Sequence, residues 1–294
     1  KSGTTAKVSD DGILLVEDDV YDAKAEEVDL TATKELTGRN LKDGEFSFKL
    51  TPDSNNPESD KNAEKIVQNT AEGNISFGKL KFTEAGTYKY TVSEVAGDND
   101  IITYDNKSYA VTIVVEEGEH GALNIASKTI TLNDDTKSEI KFINAYTPKP
   151  TTVQIEAEKT VNGEAATGSQ FHFTLTPKTD GDKNEAQNVT NVNGKITFAD
   201  LAYDKAGTYE YEVAEVQAVP NGYTADKTVY TVTVTVTDNK ETGKLEASVS
   251  YGEDAEGKER KGITFANTYK ADGTTAKIEA EKTVNGEAAT GSQF

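Results

Sequence analysis

The sequence predicts an all-β protein built of tandem sandwich domains, and three observations carry that expectation. Threonine, valine and tyrosine are abundant and glycine is frequent, a mixture that favours strands and turns over helices. Apolar and polar residues alternate through most of the chain, which is the period of a half-buried strand. Long stretches also return in register. FSFKLTP (Phe46–Pro52) matches FHFTLTP (Phe171–Pro177), and AGTYKYTVSEV (Ala85–Val95) matches AGTYEYEVAEV (Ala206–Val216). SYAVTIVV (Ser108–Val115) matches VYTVTVTV (Val229–Val236), and IKFINAY (Ile140–Tyr146) matches ITFANTY (Ile263–Tyr269). Short strands joined by turns suggest a β-sandwich, and tandem copies suggest an array.

Residues 1–27 carry a short apolar run, Ile13–Val16, followed by an acidic stretch. GTTAKV (Gly3–Val8) echoes GTTAKI (Gly273–Ile278), so residues 1–27 read as an N-terminal arm or linker, with or without a strand of its own. The first repeat spans 28–148. Its strands are expected from Leu30, at Phe46–Pro52, Ile75–Phe82, Thr87–Val95, Ser108–Glu117 and Leu123–Leu132, and finally at Ile140–Pro148. A polar loop, Asp53–Asn62, separates the second strand from the third. PKPTT (Pro148–Thr152) reads as a linker, because proline cannot donate to a sheet ladder. The second repeat spans 149–271. Ile155–Phe171, IEAEKTVNGEAATGSQF, then returns letter for letter as Ile278–Phe294, so 272–294 reads as a linker and the first strand of a third repeat. An unpaired strand over 277–294 would expose an edge that invites pairing.

At 294 residues the chain can form two ordinary domains with real cores. Its net charge of −20 argues against nucleic acid, which needs clustered Lys and Arg, and against docking on an anionic membrane. No stretch approaches the roughly 18 apolar residues of a membrane span. Without cysteine there are neither disulfides nor thiolate metal sites. No cofactor or metal is expected.

One residue breaks the alternation. Lys159 falls on the parity of Ile155, Ala157 and Val161; Lys34 does so among Leu30, Ala32 and Leu36, and Lys282 among Ile278, Ala280 and Val284. Two other strands aim a polar residue inward. Glu94 follows Tyr88, Tyr90 and Val92, and Glu215 follows Tyr209, Tyr211 and Val213. Asn144 shares parity with Ile140, Phe142 and Tyr146, as Asn267 does with Ile263, Phe265 and Tyr269. Each repeat thus directs one Lys, one Glu and one Asn at one core. One reading is a buried Lys–Glu ion pair with a hydrogen-bonded Asn, although such a pair often fails to offset its desolvation. The other is chemical. Desolvation lowers a lysine pKa and raises a glutamate pKa, so the two can coexist as neutral amine and neutral acid. The amine is then a nucleophile, and the acid can polarise the Asn carbonyl and shuttle the proton to the departing nitrogen. The product is a Lys–Asn amide, with one ammonia lost per bond.

LTATKEL, YKYTVSEV and IKFINAYTP resemble the Gram-positive pilin isopeptide-linkage domains of streptococcal major pilins and repeat-containing surface adhesins. The resemblance spans about 28–271, with all three motifs in order, twice. It implies immunoglobulin-like sandwiches of the collagen-adhesin B type and a spontaneous bond within each: Lys34 to Asn144 with Glu94 as acid/base, and Lys159 to Asn267 with Glu215. Lys282 has no downstream Glu or Asn in this sequence and is expected to stay uncross-linked. With the lysine near the start of each domain and the asparagine at its end, tension would run through the bond. Closing so large a loop covalently is worth about 4–5 kcal/mol on the chain-entropy account.

The expectation is therefore a stalk segment of a secreted, cell-wall-attached Gram-positive surface protein. Its partners would be neighbouring repeats of the same protein and a candidate host surface ligand. It would not be an enzyme, because the self-reaction turns over once. The alternatives are a major pilin subunit polymerised by sortase, for which Lys137, seven residues before Asn144, is the candidate acceptor, and a ligand-binding adhesin module using loops 53–74 and 178–194. The second repeat has Arg260 at the offset of Lys137, so that lysine is not built into the repeat. A hydrolase would need paired carboxylates, and parity supplies one acid per core. DGDKNE (Asp180–Glu185) mimics the start of a calcium loop but lacks the glycine and the bidentate glutamate. His172, on an outward parity, and His120, in a glycine-flanked turn, have no Ser or Cys partner in any motif.

Overall fold

The computed structural model describes residues 3–8, 14–19, 24–57, 60 and 62–292, and side chains from residue 24 onward except His120. Apart from one 3-10 turn at Glu119–Gly121, the regular structure among these residues is strand. The chain divides into two compact units, 1–149 with Lys240–Gly243 and 150–239 with 244–294.

Ahead of the first sandwich, β1 (Gly3–Val8) pairs antiparallel with β2 (Leu14–Asp19), so part of the 1–27 segment forms a hairpin. Domain strands follow as β3 (Glu26–Thr37), β4 (Ser47–Pro52), β5 (Lys65–Gln68), β6 (Asn74–Phe82), β7 (Gly86–Val95) and β8 (Ile102–Thr103), then β9 (Ser108–Glu117), β10 (Leu123–Leu132), β11 (Asp135–Lys137) and β12 (Lys141–Tyr146). They form two sheets, ordered β11-β10-β9-β7-β4-β5 and β6-β3-β12-β8. The alternation of the sequence is the cause: Leu30, Phe48, Leu50, Tyr88, Val92, Val111, Ile113 and Phe142 point between the sheets and are fully buried.

The second unit repeats the plan with β13 (Thr151–Val153), β14 (Glu156–Val161), β15 (Glu164–Ala165), β16 (His172–Pro177), β17 (Gln187–Thr190) and β18 (Lys195–Thr197), then β19 (Leu201–Tyr203), β20 (Gly207–Glu215), β21 (Tyr223–Thr224), β22 (Val229–Asn239), β23 (Lys244–Ser250) and β24 (Thr264–Tyr269). Its main sheets run β17-β16-β20-β22-β23 and β15-β14-β24-β21, with β18 also on β14. Its core gathers Ile155, Phe171, Phe173, Leu175, Ile196, Tyr211, Val213, Val232, Val234 and Phe265.

In each unit the first long strand and the last lie side by side and parallel. β12 runs along β3, placing Phe142 opposite Lys34 and Asn144 opposite Leu36. β24 runs along β14, placing Phe265 opposite Lys159 and Asn267 opposite Val161. The Asn therefore sits two residues beyond the Lys register, which puts both side chains on the same face.

Four details depart from the sequence expectation. Thr151 and Thr152 are not linker: they begin β13, which pairs with β19, and the ladder starts directly after Pro150, where the chain regains N–H groups. The loops 53–74 and 178–194 contain β5 and β17, edge strands too short for alternation to register. Tyr269, expected inward, is 43% exposed, whereas Tyr146 is 6% exposed. The Arg39 guanidinium covers the Tyr146 ring at 5.1 Å, while Glu164 occupies the aligned position of the second repeat and Tyr269 leans on Tyr223 instead. Finally, the expected strand over 277–294 is reduced to a hairpin of β25 (Thr283–Val284) and β26 (Glu287–Ala288), and Ile278 is 92% exposed.

Candidate functional site

The two lysines are placed by their backbones first. The Lys34 N–H donates to the Gly73 carbonyl at 2.7 Å, and the Lys159 N–H to that of Gly194 at 2.8 Å. Gly73 has φ +87°, and a Cβ there would stand 2.2 Å from the Lys34 carbonyl oxygen, so only glycine lets the two chains approach. Phenylalanines wall in the ammonium groups: Lys34 Nζ lies 4.6 Å from the centroid of Phe46, and Lys159 Nζ 5.0 Å from that of Phe171.

The glutamate arrives from the opposite sheet. Glu94 stands across from Phe48 on β7, and Glu215 across from Phe173 on β20. Lys34 Nζ donates to Glu94 Oε2 at 2.7 Å, and both side chains are fully buried. Asn144 Nδ2 donates to the other oxygen, Oε1, at 2.6 Å. In the second unit Lys159 Nζ donates to Glu215 Oε2 at 3.1 Å and, more weakly, to the Phe265 carbonyl at 3.4 Å. Asn267 Nδ2 donates to Glu215 Oε1 at 2.7 Å, and the Lys–Glu pair is again fully buried. One carboxylate thus bridges amine and amide in each core. Burial pushes both lysines below their ordinary pKa, against the pull of the glutamate and, more weakly, of Asp105 or Asp226. A buried lysine whose pKa is lowered can serve as a nucleophile, and here it lies beside an amide with one carboxylate touching both.

The sequence reading had the acid both polarise the amide carbonyl and carry a proton to the amide nitrogen; in the structure the glutamate meets the nitrogen and not the carbonyl. The Asn144 carbonyl oxygen accepts instead from the Asp105 backbone N–H at 2.7 Å, and that of Asn267 from the Asp226 N–H at 2.8 Å. Side-chain parity cannot reveal a main-chain donor. The signal that could have found it is an Asp four residues before Tyr109 and before Tyr230, common to both repeats.

The remaining candidates lie elsewhere. Lys137 ends β11, its Nζ 3.5 Å from an Asp135 carboxylate oxygen and its side chain 37% exposed. Lys282 is exposed. Asp182, in the calcium-like stretch, accepts from the Asn184 amides and the Tyr211 hydroxyl. His172 is exposed on β16, and the backbone of His120 lies in the 3-10 turn. Among the described residues no three His, Asp or Glu side chains group as a metal site would require.

Fold and site together define a tandem β-sandwich protein with a buried Lys–Glu–Asn bridge in each unit. The model of the Spy0128-like isopeptide containing domain, FctA, matches residues 30–147 and again 155–270, so the chain belongs to that family. No curated protein matches it. Among solved structures, a major pilin (T3.2) of Streptococcus pyogenes serotype GAS13637 is 21% identical over 85% of this chain and 100% of its own, with a TM-score of 0.33. Another major pilin from Streptococcus pyogenes is 17% identical over 83% and 98%, with a TM-score of 0.30. The pilus adhesin SpaC from Lactobacillus rhamnosus GG is 17% identical over 91% of this chain and 33% of its own, with a TM-score of 0.25.

Proposed function

We propose that this chain is a shaft segment of a Gram-positive cell-surface fibre, and that each sandwich closes itself with an amide bond, Lys34 to Asn144 and Lys159 to Asn267. The observation that carries this reading is the carboxylate bridging amine and amide, fully buried and built twice from the same three strands. Glu94 and Glu215 take a proton from the lysine and return it to the leaving nitrogen, so ammonia departs and each glutamate is regenerated. Enclosure holds the reactants together and keeps competing water out. The reaction happens once per domain, so the protein is its own substrate rather than an enzyme.

The bond joins the first long strand of each domain to its last, parallel and adjacent. A pull on the two ends of a domain therefore passes through the amide before it reaches the ladders behind it. Neighbouring repeats are the partners such a shaft requires, and the exact return of Ile155–Phe171 at Ile278–Phe294 supports a repeat array. The test is the intact mass under denaturing conditions. Two ammonia molecules should be missing, and Glu94→Ala and Glu215→Ala should each restore one. A full, undiminished mass for the unaltered protein would refute the proposal.

A further inference from the structure

The aspartates beside the reacting amides do more than fill a turn. A backbone N–H can only donate, so the Asn144 atom 2.7 Å from the Asp105 N–H must be the carbonyl oxygen, and the same holds at 2.8 Å for Asn267 and Asp226. The carboxylate of the same aspartate then grips the preceding residue of the asparagine strand. Asp105 Oδ2 accepts from the Ile143 N–H at 2.8 Å, and Asp226 Oδ2 from the Ala266 N–H at 2.9 Å. Each carboxylate is itself fixed, Asp105 by the N–H and Nζ of Lys107 (2.9 and 2.7 Å), Asp226 by the N–H and Oγ1 of Thr228 (2.9 and 2.6 Å). Two residues further on, the Tyr109 and Tyr230 hydroxyls each donate at 2.8 Å to the same strands, at the Lys141 and Thr264 carbonyls. The clamp thus recurs in both domains although the residue that steadies it differs.

Resting on the cross-linking reading above, we propose that Asp105 and Asp226 each supply a one-donor oxyanion site through the backbone N–H, with the carboxylate as the positioning group that aims it. When the neutral lysine amine adds to the asparagine Cγ, the carbonyl electron pair moves onto Oδ1, toward that N–H. The pair returns as the Cγ–Nδ2 bond breaks, the glutamate having carried the proton from Nζ to Nδ2, and ammonia leaves. A donor aimed where charge develops, in a buried site, acts on the transition state more than on the ground state. Burial works to raise the Asp105 carboxyl, but Lys107 and the Ile143 N–H hold it below its ordinary range, so it remains an acceptor.

The experiment follows bond closure in freshly synthesised protein, made by cell-free translation and quenched at intervals, with the Lys34–Asn144 and Lys159–Asn267 peptides counted separately by mass spectrometry. Replacing Asp105 by its α-hydroxy acid turns the donating amide into an ester and keeps the side chain. That change should slow the first bond by about 10²–10³-fold, the cost of one oxyanion donor, while the second bond keeps its rate as an internal clock. Asp105→Ala, which keeps the N–H but loses the clamp, should slow it less, and Asp105→Asn, which keeps an acceptor for the Ile143 N–H, should recover most of the rate. A folded ester variant that closes at the unaltered rate overturns the oxyanion role, and an Asp105→Asn variant as slow as Asp105→Ala overturns the positioning role. If the unaltered protein closes neither bond, it is the cross-linking reading that fails. The mirror set at Asp226 should give the same order for the second bond.

Discussion

Ile155–Phe171 and Ile278–Phe294 are the same seventeen letters in two surroundings. In both, Asn-Gly adopts the left-handed pair of a tight hairpin turn, with φ +48° and +87° at Asn162 and Gly163 and +49° and +84° at Asn285 and Gly286. The same ladder pairs follow, Thr160 with Ala165 and Thr283 with Ala288, and the same backbone bond closes from Ala166 to Lys159 and from Ala289 to Lys282. Upstream of the turn the copies part. Residues 156–159 are strand, held by β24 on one side and β18 on the other, with Ile155 and Lys159 fully buried. Residues 278–282 have no ladder, Ile278 is 92% exposed and Lys282 is exposed. The turn is a local property of the sequence, whereas the burial that lowers the lysine pKa is not.

The sharpest way to break this comparison is to delete each lysine. Lys159→Ala should cut the ammonia deficit from two molecules to one. It should also cost the about 4–5 kcal/mol of the loop-closing bond. Lys282→Ala should leave the deficit at two and move stability by no more than about 0.5 kcal/mol. Intact mass and thermal denaturation read both, and a deficit of two in Lys159→Ala would mean that another amine had taken its place.

A smaller effect is expected at the isoleucines. Ile155→Ala opens a cavity in the second core and should cost about 2–5 kcal/mol, while Ile278→Ala should stay within about 0.5 kcal/mol. Urea unfolding separates the two, and equal costs would show that the third copy is packed after all.

The smallest effect is in pH. In Asn267→Ala the Lys159 amine survives, and its folded pKa lies below the ordinary 10.5. The unfolded chain then holds more protons, so stability should rise with pH from that lowered value toward about 10. Above that the sign reverses, because the buried tyrosines keep their protons when folded, Tyr203 up to about 12, while unfolded tyrosines ionise. Adding Lys159→Met should flatten the rise; a rise that persists would assign it to another group.

Much of the site was legible because a strand has only two faces. Parity alone aimed Lys34, Glu94 and Asn144, and their second-repeat partners, at common cores, and the structure brings each trio within hydrogen-bonding distance. Parity could not say that the glutamate meets the amide nitrogen while a main-chain N–H takes the carbonyl, since that depends on how the chain before β9 folds back on β12. Nor could it foresee Tyr269, which is 43% exposed and leans on Tyr223, whereas Arg39 covers Tyr146.

By itself, then, the sequence determined the strands, their inward faces and the Asn-Gly turns, because these rest on alternation and on backbone angles set within a few residues. Only the tertiary structure decided which copy of an identical segment becomes a buried strand. A strand needs partners for its N–H and C=O groups and a second layer for its apolar face, and Ile155–Val161 finds both where Ile278–Val284 does not.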